Sequence, residues 1–269
     1  MMSEERMIRS FDGIQLFTRK DEADKAKAVI VISHGLAEHL GRYDALAATL
    51  AKHDFTVYRY EQRGHGRSEG KRTHFKDFNE MPDDLKTVMD LAKEENPGQA
   101  IFLIGHSMGG FTAASFGTKY PKEAAGIVLS GALTRYNKEI FGVLPMDLPE
   151  ETYLDNELGE GVCSDPEVVK AYGEDPLVEK KISVALINQF GPGIAWLKEH
   201  AESFVDPVLV LHGNEDGLVA EKDSRDFYGD IGSRDKTLKI YASLMHEIFN
   251  EPAKFKIYDE VIDWIEERL

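Results

Sequence analysis

The chain is short of cysteine, proline, tryptophan, long apolar runs and basic residues, and each shortage excludes something. A single cysteine, Cys163, leaves no disulfide framework and no thiolate zinc site. No run approaches the ~18 apolar residues of a membrane-crossing helix, and the start, MMSEERMIRS, lacks the apolar stretch of a secretory leader. Lysine and arginine number 32 against 48 aspartates and glutamates, a formal net charge of −16 with a pI near 5.0. That balance argues against a nucleic-acid partner, which needs a basic face, and against electrostatic docking on an anionic membrane. Only 10 prolines and 42% apolar residues in a chain of 269 exclude global disorder and allow a substantial core. A globular, soluble, cytoplasmic protein of one or two domains is expected.

What is present is alternation. Short β-branched runs alternate with longer helical patterns, the mark of an α/β fold with a mostly parallel sheet flanked by helices. Residues 6–11 and 14–19 flank Asp12-Gly13 and predict an opening hairpin with a tight turn. AVIVIS (28–33) and AIFLI (100–104) are continuously apolar, as strands covered on both faces are. FTVYRY (55–60), GIVLSG (126–131), PVLVLHG (207–213) and TLKIYA (237–242) predict further strands. Helices are predicted over 43–54, 82–95, 107–120 and from Pro252 to the C-terminus. Between Gly131 and Pro207 the strand rhythm stops, and helical patterns at 166–172, 176–190 and 194–203 are punctuated by Asp165-Pro166, Asp175-Pro176 and Gly191-Pro192-Gly193. This predicts a helical cap insertion over 133–204, set between core segments 1–132 and 205–269. Its opening stretch EIFGVLPMDLP (139–149) suits a lid, a channel lining or ordinary cap packing equally.

The strongest local signal is Gly105-His106-Ser107-Met108-Gly109-Gly110. A G-x-S-x-G pentapeptide is short, but here a buried strand ends just before it and a helix begins at it, the strand–turn–helix frame of a nucleophile elbow. A serine needs a base to take its proton and a third group to orient that base, and on such a frame they follow in the order serine, acid, histidine. Among nine histidines, His246 alone falls in a loop between the last strand and the last helix. His212 lies at a strand end, where a packed residue is expected, and His106 is set aside because neighbours in an elbow are not expected to face one cleft. For the acid, Asp216 in Gly213-Asn214-Glu215-Asp216-Gly217 is favoured over Glu215 and Asp223, because its turn exposes it. Two N–H donors are then needed for an oxyanion: Met108, after the nucleophile, and Leu36, in the loop His34-Gly35-Leu36-Ala37-Glu38-His39.

Rival motifs fail at key positions, the phosphate-loop candidate also having His65 where its first glycine should stand. Gly64-His65-Gly66 lacks the third dinucleotide glycine, Glu69 standing there; Gly70-Lys71 is followed by Arg72 rather than Ser or Thr; His246-Glu247 lacks the second histidine of a zincin, Asn250 standing in its place. His34, Glu38 and His39 form a weak alternative metal trio. No cofactor and no metal are expected.

The segments HGLAEHLGRY (34–43), EQRGHGRSEG (61–70), GHSMGG (105–110), DPEVVKAYGEDPL (165–177), LHGNEDGLV (211–219) and DKTLKIYASLMHEIFNE (235–251) together resemble α/β-hydrolases of the monoacylglycerol lipase and lysophospholipase branch. The resemblance runs over most of the chain. It implies the α/β-hydrolase fold, Ser107 as nucleophile, Asp216 as orienting acid, His246 as general base, and the Leu36 and Met108 amides as the oxyanion hole. It implies also a cap lining an acyl channel, and a small-molecule lipid ester as substrate, with transient contact with lipid surfaces. Two departures stand out: Glu61 occupies a position usually held by aspartate, and residues 133–163 of the cap match loosely. Short-chain or phenolic-acid esterases, thioesterases and prolyl aminopeptidases share such a core; the acidic residues Glu150, Glu151, Asp155, Glu157 and Glu160, which could mimic an amine site, are expected to be a solvated face. A catalytically silent binding protein on the same fold is the non-enzyme alternative.

Overall fold

The computed structural model describes residues 2–269. The chain opens with β1 (Met2–Arg9) and β2 (Gln15–Glu22), paired antiparallel with Arg9 opposite Gln15. The predicted hairpin is therefore present, but its connection is five residues rather than a tight two-residue turn. Ser10 and Ile14 bond across it and Gly13 sits at φ +97°. Then follow β3 (Ala28–Ser33), α1 (Asp44–Lys52), β4 (Phe55–Tyr60), α2 (Glu80–Glu95), β5 (Ile101–His106), α3 (Met108–Lys119) and β6 (Gly126–Ser130). After a long excursion come β9 (Val208–Gly213), α6 (Glu221–Asp230), β10 (Lys236–Tyr241) and α7 (Lys254–Glu266). Within the excursion lie β7 (Tyr153–Asp155), α4 (Pro166–Glu174), β8 (Lys181–Ser183) and α5 (Val184–Glu199).

Eight strands form one sheet in the order β1-β2-β4-β3-β5-β6-β9-β10, antiparallel at β1, β2 and β4 and parallel from β4 onward. Every residue of β3, β4, β5, β6 and β9 is buried, which is why β3, β5, β6 and β9 read as largely apolar runs rather than alternating ones; β4 also buries Thr56 and Arg59, the latter paired with Asp21. Alternate side chains point to opposite faces. Ile30, Ile32, Phe102 and Ile104 meet α1 and α7, while Val29, Val31, Leu103 and Leu129 meet α2, α3 and α6 through Leu85, Phe111 and Phe227. Among the described residues no helix is long and apolar enough to cross a membrane.

The excursion departs from expectation in two places. Residues 176–183 are not helical: β8 pairs antiparallel with β7, and Ser183 then caps α5 by accepting the Leu186 amide. In contrast, Gly191-Pro192-Gly193 does not break the chain, since α5 runs straight through it. A proline inside a helix costs about 3 kcal/mol, but this helix buries Phe190, Ile194 and Leu197. Gly193 also lies so close to α3 that a Cβ there would stand 2.4 Å from the Phe111 ring. Burial of one helical face outweighs the local penalty.

Candidate active site

The parallel strands end on one edge of the sheet, and the loops that leave them there are the usual place for a site in an open α/β sheet. Ser107 follows β5 directly and has φ +56° and ψ −118°, a conformation an L-residue rarely adopts. The turn is held by the Ser107 N–H bonding to Ser130 O at 2.9 Å and by Phe111 N–H bonding back to Ser107 O. The flanking glycines permit it: a Cβ on Gly109 would sit 2.1 Å from the Ser33 carbonyl oxygen, and one on Gly105 would sit 2.3 Å from the Gly109 carbonyl oxygen. Met108 is the first residue of α3, so its N–H belongs to the free donors of a helix start.

The predicted acid and base come together. His246 Nδ1 lies 2.6 Å from Asp216 Oδ2, so the imidazole donates from Nδ1 and leaves Nε2 free as an acceptor. Asp216 Oδ1 receives the Leu218 and Val219 amides, each at 2.8 Å. Both side chains are buried. Burial alone would raise the Asp216 pKa, but His246 and His212 hold it far below the carboxylate range. Burial alone would lower that of His246, yet the Asp216 charge raises it above the ordinary imidazole value. Beneath the pair lies Gly131, at φ +51°, where a Cβ would approach His246 Nδ1 to 3.1 Å.

The two rival acids are elsewhere. Glu215 is exposed, and Asp223 is fully buried in α6, facing the loop after β6 rather than His246. Among the histidines, His106 corrects the adjacency argument. Its ring packs on that of His246 with centroids 4.6 Å apart, and it lines the same cavity as Ser107. The left-handed backbone at Ser107 turns successive side chains toward one space. Burial, reinforced by the neighbouring His246, lowers the His106 pKa to about 3, so this ring stays neutral. His212 is buried as expected, but it also does what the sequence reading missed. Its Nε2 is 3.0 Å from Asp216 Oδ2 and 3.1 Å from Val219 O, while Nδ1 is 2.7 Å from Ser224 Oγ. Two acceptors at Nε2 place the proton there, so His212 donates toward Asp216. The four-residue spacing across a strand end was the available signal.

Leu36 lies in the loop after β3 and lines the cavity with Ser107 and Met108. A Cβ on its neighbour Gly35 would stand 3.2 Å from Ser107 Cβ, which measures how closely this loop approaches the elbow. Glu38 holds the loop: it accepts from Gly35 N–H, from Tyr43 Oη and from Arg42 Nη1. Arg42 reaches on to Glu247 with two bonds of 2.5 and 2.7 Å. Burial would raise the Glu38 pKa, but the Arg42 charge, joined by the neighbouring His106 and His34 and the Tyr43 hydrogen bond, lowers it to about 2. Thus one guanidinium ties the Leu36 loop to the residue beside His246, an arrangement for which the sequence offered no signal because its partners are 205 residues apart. The suggested metal trio does not converge. His34 bonds the Gly35 carbonyl and the Gln62 amide, His39 pairs with Asp175, and Glu38 faces Arg42.

Above Ser107 opens a small cavity of about 40 Å³. Its walls are mostly apolar and come from Leu36, Met108, Leu133, Ile140, Phe141, Leu158, Val162, Phe190, Leu218 and Val219, with His106, His246, Glu38, Glu247 and Tyr172 among its polar lining. Ile140, Phe141, Leu158 and Leu218 also line a second, outer cleft together with Met146, Leu154 and Ile182. The acidic residues 150, 151, 155, 157 and 160 are all exposed.

The chain is similar to several known proteins. The family described as serine aminopeptidase, S33 matches residues 24–253. A monoacylglycerol lipase of Mycolicibacterium smegmatis is 36% identical over 250 residues, covering 89% of this chain and 88% of the relative. Human monoglyceride lipase is 32% identical over 268 residues, 96% of this chain and 88% of the relative. Among solved structures, that of Paleococcus ferrophilus monoacylglycerol lipase superposes with a TM-score of 0.82 at 28% identity, over 94% of this chain and 99% of the other.

Proposed function

The chain belongs to the serine aminopeptidase S33 family, a carboxylic ester hydrolase on the α/β-hydrolase fold, and from that premise we propose that it cleaves monoacylglycerols through Ser107, His246 and Asp216. The observation that carries the substrate reading is the apolar cavity above Ser107, walled by Leu133, Ile140, Phe141, Leu158, Phe190 and Leu218. Apolar walls favour an acyl chain over a polar group, and each methylene buried against them is worth about 0.8 kcal/mol, roughly fourfold in kcat/KM. Residues 133–204 act as the cap that supplies most of those walls.

His246 Nε2 takes the proton of Ser107 as Oγ attacks the ester carbonyl, and Asp216 stabilises the imidazolium that forms. The Leu36 and Met108 amides receive the charge on the tetrahedral oxygen. His246 then gives its proton to the departing glycerol oxygen; water, deprotonated by His246, attacks the acyl-enzyme, and the bond to Ser107 Oγ breaks as His246 returns the proton to it, releasing the fatty acid. The aminopeptidase reading lacks an anionic partner for a free amine: the two carboxylates in the cavity, Glu38 and Glu247, are both paired with Arg42.

The test is kcat/KM on 1-monoacylglycerols from C4 to C18 beside a phenolic ester of fixed acid. Rates that climb through medium and long chains, with glycerides preferred, support the proposal. A flat profile with the phenolic ester preferred refutes the lipid substrate and retains the triad.

A further inference from the structure

Asp223, set aside as the triad acid, has another task. It lies in the first turn of α6 and is fully buried, and among the described residues no cation pairs with it. Its carboxylate is satisfied instead by N–H groups from one stretch of chain just after β6. Oδ2 accepts the Arg135 and Tyr136 amides at 3.0 and 2.7 Å, and Oδ1 accepts the Asn137 amide and the Asn137 side-chain Nδ2 at 3.0 and 2.8 Å. Three successive amides pointing at one anion require a residue with left-handed backbone among them, and Tyr136 has φ +60°. The Thr134 hydroxyl adds a bond to the Asp223 carbonyl.

The stretch so held is the root of a wall. The Tyr136 hydroxyl accepts the Phe141 amide and donates to the Gly142 carbonyl, closing residues 136–142 on themselves. Tyr136, Ile140 and Phe141 line the cavity above Ser107, and Ile140 and Phe141 face the outer cleft as well. They are the partition between the two spaces. Lys138, on the same loop, donates to the backbone carbonyl of Asp216 at 2.8 Å.

We propose that Asp223 is a specificity-determining residue that acts through this loop: its carboxylate fixes the root of the 136–142 wall and thereby sets which acyl chains the cavity accepts. The proposal rests on the ester-hydrolase reading above and deepens it. Asparagine has nearly the shape of aspartate, but its amide nitrogen would face two donors that now find an acceptor. Asp223→Asn therefore releases the wall while leaving Ser107, His246 and Asp216 in place.

The experiment compares Asp223→Asn with wild type on C4 and C16 monoacylglycerols. The expected result is a C16-to-C4 ratio of kcat/KM lowered about tenfold, on the order of one lost hydrogen bond to a charged group. The change enters through KM, while the rate of Ser107 labelling by a small phosphonate is unaltered. Tyr136→Phe, which keeps the ring and opens the 136–142 closure, shifts the ratio in the same direction by less. Tryptic cleavage after the exposed Lys138 quickens in Asp223→Asn, a readout that needs no substrate. Equal losses on C4 and C16, or unchanged ratio and unchanged cleavage, overturn the proposal. A wild type that prefers C4 refutes the lipid reading instead, and each variant is still judged against that wild-type ratio and by its cleavage.

Discussion

His212 and His246 meet at one oxygen: Oδ2 of Asp216 lies 3.0 Å from His212 Nε2 and 2.6 Å from His246 Nδ1. The acid proposed to orient the base is itself oriented, by a histidine whose other nitrogen is fixed by Ser224. Replacing His212 by Phe removes one donor to the carboxylate and makes it more basic, so kcat falls about tenfold to a hundredfold with KM little changed. The acid limb of the pH profile moves upward. His212→Gln, which keeps an N–H donor, stays near wild type; equal behaviour of the Phe and Gln variants would remove His212 from this role.

The pH profile of wild type follows from the same pair. The base must be neutral to accept the Ser107 proton, and Asp216 raises the His246 pKa above the ordinary value near 6.5 despite burial. Activity therefore rises with pH through a midpoint above 6.5. Asp216→Asn leaves burial unopposed, so the midpoint drops while kcat falls by about 10⁴. The stability linkage has the opposite sense: protonated His246 stabilises the fold below its unfolded pKa, and that contribution is lost as pH rises through the raised folded value. A midpoint in wild type at or below that of free imidazole would contradict the assignment of His246.

Ser107→Ala is expected to lose ester turnover by about 10⁴-fold or more and to lose phosphonate labelling altogether, with its thermal unfolding midpoint unchanged. Retained turnover on any monoacylglycerol would place the nucleophile elsewhere.

Arg42 serves two buried carboxylates at once. Arg42→Met strands Glu38 and Glu247, and removing one partner of a buried ionic group costs about 3–5 kcal/mol, readable as a lowered urea midpoint. Adding Glu38→Gln and Glu247→Gln to that variant recovers part of the loss, because no buried charge is then left alone. If the triple variant is less stable than Arg42→Met, the ion cluster is not what stabilises this corner.

Much of the fold was legible because its signals are local. β3, β5 and β9 are largely apolar runs closed by turn residues, and Ser107 announces itself by glycines whose Cβ atoms would strike backbone 2.1–2.3 Å away. Asp216 and His246 were placed by chain order and by the loops they occupy, although the turn buries Asp216 rather than exposing it. What escaped was decided by contacts distant in sequence. The Pro192 helix exists because α3 and the cavity bury one of its faces; β7 and β8 pair across 28 residues in three-residue strands too short to show a pattern. Arg42 and Glu247 carry no mark of one another. The His106 ring reached the cavity because of a single backbone dihedral at its neighbour.

The place where the chain leaves the sheet has one more consequence. β6 and β9 are hydrogen-bonded neighbours, with Ile127 opposite Val208, so everything between them begins and ends on adjacent strands about 5 Å apart. To the sheet, that whole stretch is one loop, and doubling the length of a flexible loop costs only about 0.6 kcal/mol in closure entropy. Its sequence can therefore be lengthened, shortened or exchanged for another without moving β5, β9 or β10, whose ends carry Ser107, Asp216 and His246. Substrate choice and reaction chemistry are thus able to diverge separately within one chain.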